Sequence, residues 1–296
     1  MTSRVAECAA CGSRVAPGPL YAHLVRCPDC GFASYPVENE IDFASLYDDG
    51  YFKGFEYVDY LGQQAALRRS MRRHLTQMSK YTELGGSLLE VGSAYGFFLD
   101  EARRFFDPVI GVDIAENAVD YARSVVGVDA IVSDFPAMTL EPQTFNCVCM
   151  WDTIEHVPSP ELFIAKAFEV LKPGGHVFLT TGDLGSWLSR FQGAGWRQIH
   201  PPTHLSYFTR PSLERMLTTR GFVIRGVETA PYYHTLYNIL ATLQMRDGTT
   251  GRLAGVLLRT LPRRLIDLGL WVDLRDILFV AAQKPLNAVP FRPGPN

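Results

Sequence analysis

From Ser87 onward the chain alternates short apolar runs with longer amphipathic ones, and this alternation narrows the fold sharply. Residues 87–92 (SLLEVG), 109–114 (VIGVDI), 129–134 (DAIVSD), 145–152 (FNCVCMWD), 176–181 (HVFLTT), 223–229 (VIRGVET) and 276–284 (DILFVAAQK) read as strands. Between them, residues 99–106, 116–125, 159–171 and 211–222 read as helices, the last ended by Gly221, and Lys172-Pro-Gly-Gly is a turn. Strand–helix alternation of this length predicts an α/β fold with a doubly wound, mostly parallel sheet and its ligand at the carboxyl ends of the strands. Residues 231–272 interrupt the pattern as an apolar, helical insertion with prolines at 231 and 262.

The first forty residues follow a different rule. Cys8, Cys11, Cys27 and Cys30 form two CxxC pairs, each followed by glycine (Gly12 and Gly31). Such turns let four thiolates converge on one ion, which predicts a small zinc-ribbon-like module with a closed, structural Zn2+ site. A module of that size has too little core to fold unaided, so the metal contributes its folding energy. Cys147 and Cys149 lie in an apolar run and read as inert strand residues.

The first strand ends in Glu90-Val91-Gly92-Ser93-Ala94-Tyr95-Gly96. A dinucleotide site needs G-x-G-x-x-G. Counting from Gly92, its second and third glycines would fall on Ala94 and Phe97. The acid-x-G-x-small-x-G pattern instead resembles the first motif of class I S-adenosylmethionine-dependent methyltransferases, with Ala94 where glycine is more usual. The likeness continues through Asp113 after the second strand, Asp134-Phe135 after the third, WDTIEHVPSP after the fourth, LKPGGHVFLTT into the fifth, and WRQIHPPTHLSYFT beyond it. That last stretch is similar to the ubiquinone-biosynthesis O-methyltransferases. Sugar methyltransferases of secondary metabolism, some with a four-cysteine module, are similar as well.

The resemblance implies a seven-stranded Rossmann-like methyltransferase sheet whose last strand is antiparallel. It implies S-adenosylmethionine as cofactor, with Glu90, Gly92, Ala94, Tyr95, Gly96, Asp113, Ile114, Asp134, Phe135 and Trp151 around it. Asp113 would hold the ribose hydroxyls and Asp134 the adenine amino group. Glu90 would be an electrostatic partner, a brace for the loop, or both; Tyr95 either closes over the cofactor or simply packs. The expected reaction is O-methylation of a hydroxyl on a small-molecule acceptor: a secondary metabolite, sugar or phenol. The alternatives are C-methylation of a nucleotide-linked sugar, an RNA base methyltransferase, and a scaffold that only binds the cofactor.

A neutral hydroxyl needs a base, and histidine titrates in the useful range. His204, His200 and His156 are the candidates, each with the alternative of a structural histidine bonded to backbone. Asp152, Glu155 and His156 have the form acid-x-x-acid-His, which in some of the resembling enzymes binds Mg2+; the alternative is a metal-free helix start. Seven aromatic residues fall between 43 and 60, and Tyr47 and Tyr51 are expected to line the acceptor pocket. Arg68, Arg69, Arg72 and Arg73 form either a solvated basic face or a phosphate contact.

The expected division is a zinc module over 1–40, an aromatic and helical cap over 41–82, the cofactor domain over 83–230, an acceptor lid or homodimer face over 231–272, the final strand over 273–285 and a disordered tail over 286–296. A net charge of −3 and a pI near 6.2 argue against nucleic acid as partner. No apolar run is long enough to span a membrane, and the N-terminus does not resemble a secretory signal, so a cytoplasmic location is the expectation.

Overall fold

The computed structural model describes residues 6–15, 18–20, 23–36, 60–244 and 248–287. Tyr47, Tyr51 and the tail beyond 287 lie outside the described residues.

The N-terminal module consists of five two-residue strands: β1 (Ala6–Glu7), β2 (Arg14–Val15), β3 (Gly18–Pro19), β4 (Val25–Arg26) and β5 (Ala33–Ser34). Helix α1 (Gln64–Met78) leads to β6 (Leu88–Val91), α2 (Phe97–Ala102), β7 (Val109–Asp113), α3 (Glu116–Tyr121), β8 (Asp129–Val132) and β9 (Phe145–Trp151). Then come α4 (Pro160–Val170), β10 (Leu171–Gly182), α5 (Trp187–Gln192), β11 (Ser206–Tyr207), α6 (Arg210–Thr219) and β12 (Val223–Thr229). The insertion carries β13 (Tyr232–Thr235), α7 (Leu236–Gln244), α8 (Thr249–Thr260), α9 (Arg263–Ile266) and β14 (Gly269–Val272), and β15 (Ile277–Gln283) follows.

Seven strands form the main sheet in the order β12-β15-β10-β9-β6-β7-β8. The pairs from β10 to β8 are parallel, whereas β15 runs antiparallel to both β10 and β12. Central strands such as β6 are buried along their whole length, because helices cover both faces. Ile164, Ala167 and Phe168 of α4 and Leu213, Met216 and Leu217 of α6 pack with Leu89, Val91, Val148 and Met150. Leu75 and Met78 of α1, Phe98, Leu99 and Ala102 of α2 and Val119 of α3 pack with Leu88, Cys147, Cys149 and Phe279. Cys147 and Cys149 are buried and free, and burial pushes their thiols well up, so neither is reactive.

Two features depart from the sequence reading. The insertion opens and closes on strands: Tyr232 pairs with Val272 and Thr235 with Gly269, so its helices hang from a two-stranded ribbon. Three of the four arginines read as a basic face on α1 are engaged by this chain, while Arg73 stays exposed. Arg68 pairs with Asp100 at 2.5 Å and Glu101 at 3.3 Å, Arg72 pairs with Glu101 at 3.0 Å, and Arg69 lies over the Tyr233 ring. These charges dock α1 onto α2 and onto the insertion.

The module does not stand apart. Its strand β5 pairs with β11 from the segment after β10, extending β3-β4-β5 into a four-stranded sheet. Tyr35 N–H donates to the Leu205 carbonyl at 2.8 Å, and Phe32 packs on Phe208 with ring centres 5.2 Å apart. Ala10 and Phe32 join the main core.

Candidate functional site

The four cysteine sulfurs lie within 4.8 Å of one another. Cys8 and Cys30 are 3.7 Å apart, Cys11 and Cys27 3.8 Å. A tetrahedron with metal–sulfur distances of about 2.3 Å has an edge of about 3.8 Å, so the donors match a four-thiolate zinc site. Both turns are knuckles. The Gly12 N–H donates to the Cys8 carbonyl and the Gly31 N–H to the Cys27 carbonyl, at φ of 72° and 80°. A side chain at either glycine would be strained.

A second site opens at the carboxyl ends of the parallel strands. It is a cleft of about 510 Å³, bounded by the exits of β6, β7, β8 and β9. Gly92, with φ of 74°, lets the β6 exit turn, and a Cβ there would lie 2.5 Å from Thr153 Oγ1. Ala94 holds a positive φ of 43° without being glycine. Its N–H donates to Asp113 Oδ2 at 2.8 Å, while the Ala115 N–H donates to Oδ1 at 2.9 Å. One carboxylate thereby ties the β6 bend to the start of α3. Burial pushes the Asp113 carboxyl up, and those backbone donors oppose it.

Asp113, Ile114, Asp134, Phe135 and Trp151 all line the cleft with Gly92 and Ala94. Three other expected residues do not. Gly96 packs below it, where a Cβ would lie 2.7 Å from Val128 and 3.0 Å from Ala122. Tyr95 is buried beside Tyr60, Phe97 and Tyr121, so of its two readings the packing one matches its position. Tyr60 is the aromatic ring of that cluster that lines the cleft. Glu90 is 3% exposed, and its Oε2 has no hydrogen-bond partner among the described residues. Burial, reinforced by Asp113, pushes its carboxyl well up. Among the described lining residues there are three aspartates, Asp113, Asp134 and Asp152, and no lysine or arginine. A pyrophosphate would find no counter-charge there.

The three histidines gather at the far side of β9. His204 and His200 ring centres are 3.8 Å apart, His204 and His156 4.4 Å, and of the three only His156 lines the cleft. His156 Nδ1 donates to the Thr203 carbonyl and His204 Nδ1 to the Gln198 carbonyl, both at 2.9 Å. Thr203 Oγ1 lies 2.6 Å from His200 Nδ1 and 2.8 Å from the His200 carbonyl. The His156 and His204 rings are therefore fixed in the tautomer that leaves Nε2 with its lone pair. Burial holds all three below the ordinary imidazole value, His156 at about 4.

The metal-binding form suggested by Asp152, Glu155 and His156 is not assembled. The donors that converge are Glu155, His156 and His204, within 4.8 Å of one another. One carboxylate and two imidazoles suit a borderline divalent ion such as Zn2+, and they lack the oxygen-rich shell Mg2+ requires. Asp152 is engaged elsewhere: Thr180 Oγ1 donates to its Oδ1 at 2.8 Å and the Tyr232 hydroxyl to its Oδ2 at 2.5 Å. Sequence reasoning missed Tyr60, Thr153, Thr180 and Tyr232. Tyr60 stood in the aromatic run, and Thr153 and Thr180 in the strings around the fourth and fifth strands, but nothing local marks Tyr232.

Sheet order, strand-end cleft and acid pattern define an α/β fold that binds a nucleoside-like ligand at its topological switch. The Methyltransferase domain family matches residues 63–226, and the chain belongs to that family. It is an S-adenosylmethionine-dependent methyltransferase. Similar curated proteins include the ubiquinone biosynthesis O-methyltransferase of Coxiella burnetii, 27% identical over 165 residues, covering 52% of this chain and 70% of that one. The enzyme of the same description from Aliivibrio fischeri is 29% identical over 164 residues, covering 51% and 70%. Among solved structures, an S-adenosylmethionine-dependent methyltransferase of Thermotoga maritima superposes with a TM-score of 0.50 at 18% identity, covering 76% of this chain and 94% of that one. The [4+2]-cyclase SpnF superposes at 0.51 with 20% identity, covering 74% and 81%. These structures speak to fold alone. Among the described residues no helix is long and apolar enough to cross a membrane.

Proposed function

We propose that the protein methylates a hydroxyl of a small-molecule acceptor, and that its four cysteines hold a structural Zn2+. One observation carries the first reading: among its described lining residues the strand-end cleft has three aspartates and no lysine or arginine, together with His156. The similarity to ubiquinone biosynthesis O-methyltransferases supports oxygen as the methylated atom. When bound, the cofactor supplies a methyl group already activated on a sulfonium.

This chain's residues bind, orient and move a proton. Asp134 and Phe135 take the adenine end and Asp113 the ribose hydroxyls. Gly92 and Ala94 let the backbone approach, and Tyr60 and Trp151 exclude water. His156, backed by His204 and His200, accepts the acceptor's proton at Nε2, which its Nδ1 hydrogen bond keeps unprotonated. Proximity in the cleft supplies much of the rate.

The test is mass spectrometry of catechol, phenol and sugar pools incubated with the protein and methyl-labelled cofactor. An O-methylated product carrying the label is expected. Label appearing on RNA, or on carbon of a sugar, would end the hydroxyl reading.

A further inference from the structure

Asp152 follows β9 with φ of 47°, a left-handed conformation that a non-glycine residue holds only when its surroundings impose it. Three hydrogen bonds to two side chains hold it there. The Asp152 N–H donates to Thr180 Oγ1 at 2.9 Å, Thr180 Oγ1 donates back to Oδ1, and the Tyr232 hydroxyl donates to Oδ2. Thr180 belongs to β10, the next strand of the sheet, but Tyr232 comes from β13 at the root of the insertion. Asp152 lines the cleft; burial pushes its carboxyl up, and the Tyr232 and Thr180 donors oppose that shift.

Strand order gives the cleft a ruler. Asp134 follows β8, Asp113 ends β7, Gly92 follows β6 and Asp152 follows β9, and these four strands are consecutive neighbours. Adjacent strands are about 4.8 Å apart, so the four exits span roughly 14 Å. A ligand with its base at Asp134 and its ribose at Asp113 would lie along this row, so that the groups beyond its ribose would approach Gly92 and Asp152. Asp113 and Asp134 stand at the nucleoside end. Asp152 stands at the end shared with His156, where the methyl group must leave.

We propose that Asp152, braced by Tyr232, is the charge selector of the cleft, favouring the cationic sulfonium donor over the neutral thioether left after transfer. The inference rests on the methyl-donor reading above. The donor and its product share base, ribose, amino and carboxyl groups, so a charge facing the sulfur is what distinguishes them. Selection of this kind sheds the product once the methyl has gone. Because Tyr232 is a positioning residue on the insertion, a movement of that ribbon changes the selection without touching the nucleoside end.

Calorimetric titration of the full chain with S-adenosylmethionine, S-adenosylhomocysteine and an analogue carrying a protonated amine in place of the sulfonium tests this. The wild-type protein is expected to bind both cations about tenfold or more tighter than S-adenosylhomocysteine. Asp152→Asn keeps the side chain's shape; it should abolish that preference while holding S-adenosylhomocysteine affinity within about twofold. Tyr232→Phe should reduce the same ratio by a smaller factor, again without weakening S-adenosylhomocysteine. Equal losses for all three ligands in Asp152→Asn would mark a merely structural residue and overturn the proposal. If the variants fail to fold in melting curves, the wild-type ratio still decides, since equal affinities overturn it. Failure of the wild-type protein to bind any of the three sinks the donor reading itself, a different outcome from an unchanged ratio.

Discussion

Replacing Gly92 by alanine separates the backbone reasoning from general intolerance of the loop. The new Cβ would sit 2.5 Å from Thr153 Oγ1 and 2.7 Å from its Cγ2, at a φ of 74°. The left-handed conformation costs alanine about 1 kcal/mol. Thr153 must then shift, although its hydroxyl lies 3.1 Å from the Trp151 carbonyl and 3.2 Å from that of Val91. Losing that hydrogen bond costs about 1 kcal/mol. Crowding a packed site adds about 1–3 kcal/mol. The sum, about 3–5 kcal/mol, corresponds to a fall in Tm of roughly 10 °C for a chain of this size. Gly92 and Thr153 both line the cleft, so donor affinity should fall as well. Ala94→Gly is the control. Relief of its φ of 43° is offset by the greater freedom of glycine in the unfolded chain, so its Tm should stay within about 2 °C of wild type. Differential scanning calorimetry and ligand titration read both variants. A Gly92→Ala protein that melts and binds like wild type would refute the contact argument.

Two further expectations use other parts of the molecule. Elemental analysis should find one zinc per chain, lost in Cys27→Ser; chelation should speed amide exchange at Leu205, Ser206 and Tyr207, because β5 carries β11, and unchanged exchange in the stripped protein would break that link. His74 is buried and stacked on Trp151 with ring centres 4.5 Å apart, and burial lowers it to about 4. Its folded value lies below its unfolded one, so the stability it permits is complete above about pH 6.5 and is lost as pH falls toward 4. His74→Phe should recover up to about 3 kcal/mol of that acid limb in urea titrations at pH 5 and below, and an unchanged limb would contradict the burial.

The legible parts of the molecule were those built from neighbouring residues. Apolar runs such as 87–92 and 145–152 are strands because their side chains are buried on both faces. The knuckles at Gly12 and Gly31 are closed by hydrogen bonds four residues apart. Asp113 and Asp134 fall at strand ends, so their place in the cleft follows from the strand pattern. The roles of Tyr95 and Gly96 were less legible. Proximity in sequence to Gly92 does not say which side of the bend a side chain takes, and the turn sends both into packing.

By itself, then, the order of residues determined the alternating sheet, the acid-rich bend and the paired thiol turns, since each depends on spacing within a few residues. Only the tertiary structure decided that the thiol module would share a sheet with the histidine segment, that Arg68 and Arg72 would serve Asp100 and Glu101, and that Tyr232 would meet Asp152 across 80 positions. Such meetings depend on how separate elements stack to bury their apolar faces, and no local pattern encodes which distant polar group will be waiting there.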